Sequence, residues 1–420
     1  MLTVKNNYLY RNNDIFFYQG DTAWLLFEKL SLEDIILYLN NRKSLGFNVI
    51  QATIIHTKKY INSDSLAIIS YFNKIKAAID YAKKIDMYFA LLPCWGSILK
   101  LDIINEENAF KYADFLGKEF SSFNNIIWVL GGDIRGDYKP KVYNTMALTL
   151  KKYNSNRLMT FHPFGRTASY LWFNDEPWLD FNMFQSGHRR YDQLTLGQWD
   201  DNNANEDSFG EDNYKYVIKA KSYKNIKPIL DGEPSYEGIV QGLHDQSQPY
   251  WEARHIRRYA YWSVLEGACG FCYGNSAVMQ FHHFNDLDAN YNVREEWTTA
   301  IHAPGGAQIQ YLKELFIKYK FNNLKPENLV INNGIQHNRI SCIADENHII
   351  CYSYLGNNIT LNLSNYKNKK MNAYWMNPEN NSKSFINTIY NCSEYTFIPT
   401  KRYELSNDWV LILEEENKYE

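Results

Sequence analysis

The chain has 420 residues, enough for an eight-fold βα barrel of about 250 residues and a second, smaller unit. Its formal net charge is only −3 and no basic stripe runs through it, so the electrostatic attraction that a nucleic-acid partner requires has no source. No stretch approaches the roughly 18 apolar residues of a membrane span, and a membrane partner is likewise not expected.

At the amino end, Met1-Leu-Thr-Val-Lys-Asn-Asn-Tyr8 shows none of the charged, apolar and small-residue regions of a secretion leader, and a cytoplasmic location is expected. A first β-rich run follows at Ile15 to Gln19. Ser31 with Asp34 resembles a capping box, Leu32, Ile35, Ile36 and Leu39 keep helical spacing, and Gly46 can end the helix before a second run, Asn48 to Ile54. Phe72, Ile75, Ile79, Ala82 and Ile85 repeat the helical pattern before a third run, Tyr88 to Pro93. Phe110, Ala113, Leu116 and Phe120 do so before a fourth, Ile126 to Leu130. Three successive β-helix-β units predict a parallel sheet.

Further runs lie at Leu158 to Phe161, Phe181 to Gln185, Pro228 to Asp231 and Cys269 to Tyr273. The stretch between the fifth and sixth is rich in Trp, Asn and Pro and holds no convincing helix, so an irregular fifth crossover is expected. Eight strands at this spacing, without a Gly-rich phosphate fingerprint after the first, predict an α/β fold of the (β/α)₈ TIM-barrel type rather than an open doubly wound sheet. Cys269 and Cys272 form a Cys-x-x-Cys pattern within the eighth run, but positions i and i+3 of a strand face opposite ways, so a metal or redox centre is not expected there. From about Asn322 the texture changes to short β-rich segments, among them His348 to Tyr354, Ile359 to Leu363, Met371 to Trp375 and Trp409 to Leu413, punctuated by Asn, Gly and Pro. A small antiparallel β-sandwich is predicted, with the boundary near Phe321: a catalytic unit over 1–321 and an accessory unit over 322–420, which either packs against the barrel or binds a ligand.

Barrels of this kind place their active sites at the C-terminal ends of the strands. The residues there are polar and aromatic: Asp21 and Trp24, Gln51, Trp95, Asp133, His162, Gln185 and His188, Glu233, and Tyr273. Asp133 follows the paired glycines Gly131 and Gly132, which let the backbone turn tightly beneath it. Glu233 follows Lys227-Pro-Ile-Leu-Asp-Gly232. Strands four and seven lie across an eight-stranded barrel, so these two carboxylates can flank one bound sugar. Glycosidic cleavage needs such a pair, one to protonate the leaving oxygen and the other to attack the anomeric carbon or activate water. His162 and His188 read as partners of substrate hydroxyls, as orienters of a carboxylate, as a pair of metal ligands, or as satisfied structural histidines. Asp21 grips a sugar diol or caps the first helix region; Trp24, Trp95 and Trp172 are stacking candidates or core.

No His-x-His follows an early strand, and no His-Glu-x-x-His or Gly-x-Ser-x-Gly motif occurs, so neither metallohydrolase nor serine-hydrolase chemistry is indicated and no cofactor is expected. Two alternatives remain beside an exo-acting glycosidase: an endo-acting, glucanase-like depolymerase, and a carbohydrate-binding pseudoenzyme, against which the presence of both acids counts.

The segments Phe17-Tyr-Gln-Gly-Asp-Thr-Ala-Trp-Leu-Leu-Phe27, Gly46-Phe-Asn-Val-Ile-Gln-Ala52, Leu91-Leu-Pro-Cys-Trp-Gly96, Asn125-Ile-Ile-Trp-Val-Leu-Gly-Gly-Asp133, Met159-Thr-Phe-His-Pro163, Trp178-Leu-Asp-Phe-Asn-Met-Phe-Gln-Ser-Gly-His188, Leu230-Asp-Gly-Glu-Pro234 and Ala260-Tyr-Trp-Ser263 closely resemble the apiosidase-like family, glycoside hydrolase family 140. The C-terminal segments Ala373-Tyr-Trp-Met-Asn-Pro378 and Asp408-Trp-Val-Leu-Ile412 resemble the domain, named for collagen binding, that commonly follows this barrel. The resemblance implies a retaining exo-glycosidase acting on oligosaccharides or glycosides of plant pectin side chains, apiosides among them. In it Asp133 is general acid/base and Glu233 the nucleophile. After Asp133 this chain reads Ile-Arg-Gly-Asp-Tyr where Arg directly after the Asp is expected, a departure that bears on leaving-group specificity.

Overall fold

A computed structural model describes residues 1–60, 65–193, 209–401 and 406–416. The chain opens with an antiparallel meander of β1 (Leu2–Lys5), β2 (Tyr8–Arg11) and β3 (Asp14–Phe16). Its tight turns are made by asparagines: Asn6, Asn12 and Asn13 all have positive φ, the left-handed conformation that asparagine tolerates better than most residues. The first predicted run is therefore divided, Ile15 and Phe16 closing the meander while Gln19 belongs to the next strand.

Eight parallel strands follow: β4 (Tyr18–Thr22), β5 (Val49–Ile55), β6 (Tyr88–Cys94), β7 (Ile126–Ile134), β8 (Met159–Pro163), β9 (Asn182–Phe184), β10 (Ile229–Asp231) and β11 (Gly270–Tyr273). They pair in the order β8-β7-β6-β5-β4-β11-β10-β9. Between the two ends of that order, Asp180 N donates to Met159 O and Thr160 Oγ1 to Phe181 O, which carries the sheet round into a barrel.

Helices, the three predicted ones among them, form the outer layer. Ser31 caps the helix Leu32–Ser44 by accepting from Asp34 N at 3.1 Å, and Gly46, at φ +84°, ends it. Helices Ser65–Lys84, Ala109–Glu119 and Pro140–Tyr153 cover β5 to β7. The crossover from β8 to β9 holds a single helical turn, Tyr170–Phe173, as the lack of periodicity there predicts. Helices Tyr214–Ala220, Ala253–Leu265 and Pro304–Lys318 complete the ring.

The C-terminal part is antiparallel. Strands β12 (Lys325–Pro326), β13 (Ile340–Ala344), β14 (His348–Ser353), β15 (Ile359–Asn362), β16 (Met371–Met376), β17 (Lys383–Ile389), β18 (Glu394–Phe397) and β19 (Trp409–Glu415) form a six-stranded sheet, β12-β13-β14-β19-β16-β17, and the pair β15-β18. Alternate residues of the large sheet go opposite ways. Ile349, Cys351, Leu411 and Leu413 pack with Ile359, Leu361 and Phe397 of the small sheet, whereas Ile350, Tyr352, Val410 and Ile412 join the barrel core. Burial on both faces explains why Ile349 to Tyr352 of β14 read as an apolar run instead of an alternating one.

Candidate active site

Every barrel strand sends a residue from its C-terminal end into one cavity of about 540 Å³: Trp24, His56, Trp95, Asp133, Phe164, Gln185, Glu233 and Met279 follow or end β4 to β11 in turn. Its walls are completed by His188, Arg189, Tyr236, Leu243, His244 and Tyr291. The size lies within the about 300–1,000 Å³ of small-molecule pockets.

The path to Asp133 is built by three successive residues in the left-handed region: Gly131 (φ +88°), Gly132 (+104°) and Asp133 itself (+52°). A Cβ at Gly131 would lie 2.3 Å from His162 O, and one at Gly132 would lie 2.8 Å from the Trp95 ring, so both must be glycine. The β7–β8 register shifts between Gly131 and Ile134 as a result. This bulge lifts the Asp133 side chain out of the strand's alternation and leaves it partly exposed to the cavity.

Glu233 is held from two sides. His162 Nε2 lies 3.1 Å from Oε2 and His188 Nε2 lies 3.1 Å from Oε1. The tautomer of His162 follows from its other nitrogen, since Nδ1 accepts the Asp133 backbone N–H at 3.3 Å and the ring proton therefore sits on Nε2, facing the carboxylate. Burial pushes the Glu233 carboxyl up, but the His162 and His188 imidazoles outweigh it and hold it down at about 2. Asp133 goes the other way, to about 6, first because its carboxyl, deep in the cavity, is poorly solvated and then because the Glu233 charge faces it. One carboxyl is thus kept ionised and the other kept protonated in mildly acidic solution.

Aromatic rings form one side of the cavity. His56 lies against Trp95 (ring centroids 4.7 Å), Trp95 against Trp24 (4.9 Å), and Trp24 meets His162 edge-on (5.1 Å). Glu28 fixes this side by accepting from His56 N and Thr57 N at 2.8 and 2.9 Å.

Of the residues expected to touch substrate, Trp24, Trp95, Gln185 and His188 line the cavity with the two acids. His162 stands directly behind Glu233. Asp21, Gln51 and Tyr273 do not line it, and for them the expectation is corrected. Asp21 and Tyr273 are register partners on β4 and β11 with the parity that points out of the barrel. Asp21 instead receives Tyr38 OH at 2.5 Å and pairs with Arg42 Nε at 3.0 Å, and Tyr273 OH donates to Glu237 Oε2 at 2.6 Å. Gln51 points inward but lies under the floor, where its Nε2 donates to Gly232 O at 3.0 Å and so supports the turn that carries Glu233. Trp172 packs against Gly136 and the Arg135 guanidinium rather than the cavity. Tyr236, Leu243, His244 and Tyr291 were not singled out from the sequence. Tyr236 is close to the Glu233 motif and was findable; the others sit well beyond the strand ends. Among the described residues, no group of three or more His, Cys, Asp or Glu side chains is placed to hold a metal ion.

Solved structures resemble the protein over nearly its full length. One, described as "Glycoside hydrolase", is 35% identical with a TM-score of 0.91, covering 98% of this chain and 96% of its own. Another, described as a glycoside hydrolase family 5 from Bacteroides vulgatus ATCC 8482, is 33% identical with a TM-score of 0.91, covering 98% of this chain and 93% of its own. A comparison with curated proteins found no match. The molecule is a glycoside hydrolase, and its substrate is a carbohydrate. More narrowly, the family described as "Apiosidase-like, catalytic domain" matches residues 4–323, and the chain belongs to it. Residues 326–414 match the family described as "Putative collagen-binding domain of a collagenase".

Proposed function

We propose that the enzyme is a retaining exo-glycosidase that removes a terminal sugar, of the apioside or related pectin side-chain class, by double displacement. The catalytic groups fall within 1–321, with 322–420 as an accessory unit. The observation that carries the reading is the clamp on Glu233: two imidazoles at 3.1 Å keep it a carboxylate, while its charge and burial keep a proton on Asp133. Glu233 attacks the anomeric carbon as the glycosidic C–O bond breaks, and the departing oxygen takes the Asp133 proton. Asp133, now a carboxylate, accepts a proton from water, whose oxygen displaces Glu233 and releases the sugar with its original configuration. Trp24 and Trp95 offer the apolar surface against which a sugar face stacks.

Aryl glycosides of apiose, arabinose, xylose, rhamnose, galactose and glucose identify the sugar, and NMR of the first product identifies the stereochemistry. Retention is expected; the opposite anomer appearing first overturns double displacement, and products of several lengths from a polymer overturn the exo assignment. Glu233→Ala should be inactive on every substrate. Asp133→Ala should spare aryl glycosides with good leaving groups and, with azide added, yield a glycosyl azide of the substrate's own configuration. That product from Glu233→Ala instead would reverse the two roles.

A further inference from the structure

The cavity wall formed by His188 and Arg189 is anchored at both ends, and the two anchors differ. At its start, Gly187 N donates to Glu233 O at 3.1 Å and His188 N to Ser235 Oγ at 2.9 Å, which ties the wall to the loop that carries Glu233. At its far end, Tyr191 N donates to Glu211 Oε1 at 2.9 Å. Glu211 is 3% exposed, and its other oxygen meets two side chains from different parts of the molecule. Arg258 Nη2, from the barrel helix Ala253–Leu265, lies at 2.5 Å, and His337 Nε2, from the C-terminal domain between β12 and β13, lies at 3.0 Å. The His337 ring also lies against the Tyr191 ring, with centroids 5.0 Å apart, and against Tyr354 at 5.4 Å.

We propose that Glu211 and His337 are positioning residues for glycoside cleavage: the C-terminal domain, through His337, fixes the carboxylate that holds the Tyr191 backbone and so sets the His188–Arg189 wall against Glu233. The inference rests on the reading of this cavity as the glycosidase site. Burial would push the Glu211 carboxyl up, but Arg258 and His337 overcome it and hold it at about 2, so Glu211 stays a carboxylate in neutral solution. The contact of Arg339 with Glu266 at 2.9 Å also joins the barrel to the C-terminal domain, but neither residue lines the cavity. His188 is the residue through which the clamp reaches the chemistry, because its Nε2 is one of the two groups on Glu233. A displacement of about 1 Å in such a group can cost up to about a hundredfold in rate.

The test compares His337→Ala, His337→Gln, Glu211→Gln and, as an interface control away from the cavity, Arg339→Ala, all in the full-length chain. Two quantities are read: kcat/KM on the best aryl glycoside, and hydrogen exchange of the peptide containing the Tyr191 amide. His337→Ala and Glu211→Gln should lose about tenfold or more in kcat/KM, mostly in kcat, and should exchange Tyr191 faster. His337→Gln, whose amide can still donate to Glu211, should retain both. Arg339→Ala should lower the melting temperature while leaving kcat/KM and Tyr191 exchange unchanged. A His337→Ala enzyme that matches Arg339→Ala in both readouts overturns the proposal. If the wild type cleaves no glycoside, the glycosidase reading fails on its own account and exchange still decides the clamp: protection of Tyr191 lost in His337→Ala supports it, and protection retained overturns it.

Discussion

Asp133 sits at φ +52°, where a residue with a Cβ costs roughly 1–2 kcal/mol relative to a helical or extended backbone. That strain is kept where it directs a carboxyl into the cavity, and the two glycines before it are what made the feature legible in the sequence. The electrostatic consequence is testable. Because the Glu233 charge helps to raise Asp133 to about 6, Glu233→Gln should lower the Asp133 pKa, and a side-chain carboxyl NMR titration in that variant should find it below the wild-type value. The general acid must carry its proton in the free enzyme, so kcat/KM should fall as pH rises through about 6, while Glu233 stays ionised down to about 2. A profile flat across pH 6 would contradict the assignment of Asp133 as the acid. Asp21 and Tyr273 show the limit of residue-level reading: both stand at strand ends and are chemically suited to sugars, but strand parity sends them outward. Parity could be counted only once the true start of β4 was known.

That start was obscured by the element before it. The run Ile15 to Gln19 looks continuous because nothing polar interrupts it between Ile15 and Tyr18, yet it spans the end of β3 and the beginning of β4. The signal overlooked was the Asn12-Asn13 pair, whose positive φ values make a tight turn between β2 and β3. The helices that follow β4 to β6 were legible because each buries one apolar stripe at 3.6-residue spacing. The loop carrying Tyr291 was not, because a loop that folds back over the barrel mouth has no periodicity to read. Between elements, the segment after β9 closely approaches the segment after β10. A Cβ on Gly187 would lie 2.4 Å from Pro234 C and 2.6 Å from Ser235 N, backbone atoms that cannot swing aside. Gly187→Ala should therefore destabilise the protein by about 1–3 kcal/mol and reduce turnover by more than KM changes, measured by urea unfolding and steady-state kinetics. Unchanged kcat would mean that the two segments move independently of catalysis.

At the scale of the molecule, the barrel and the C-terminal domain share one core, since one face of the six-stranded sheet packs into it. The apolar run Ile349 to Tyr352 fits this, but the sequence leaves the domain as either a packing accessory or a ligand binder and does not show which polar residues join it to the barrel. The chief join is Arg257, 1% exposed, whose guanidinium grips fully buried Asp408 through Nε and Nη2 at 2.8 and 2.7 Å, with Tyr352 OH donating to the same carboxylate at 2.9 Å. Arg257→Ala leaves that carboxylate buried without its cation and should cost about 3–5 kcal/mol in urea unfolding. Replacing Asp408 as well should recover part of the loss, because the pair, not either charge alone, is compatible with burial. A single Arg257→Ala within experimental error of wild type would show that the interface is wet or mobile.

The central claim is that Glu233 is the nucleophile that forms a covalent glycosyl-enzyme, and trapping that intermediate tests it most directly. The enzyme is incubated with the 2-deoxy-2-fluoro analogue of whichever aryl glycoside it turns over, bearing a good leaving group, then digested and sequenced by mass spectrometry. The account predicts a single added sugar on the peptide containing Glu233, and none when Glu233→Ala is treated in the same way. A sugar attached to Asp133, or complete turnover in Glu233→Ala with no added mass on any peptide, would contradict it.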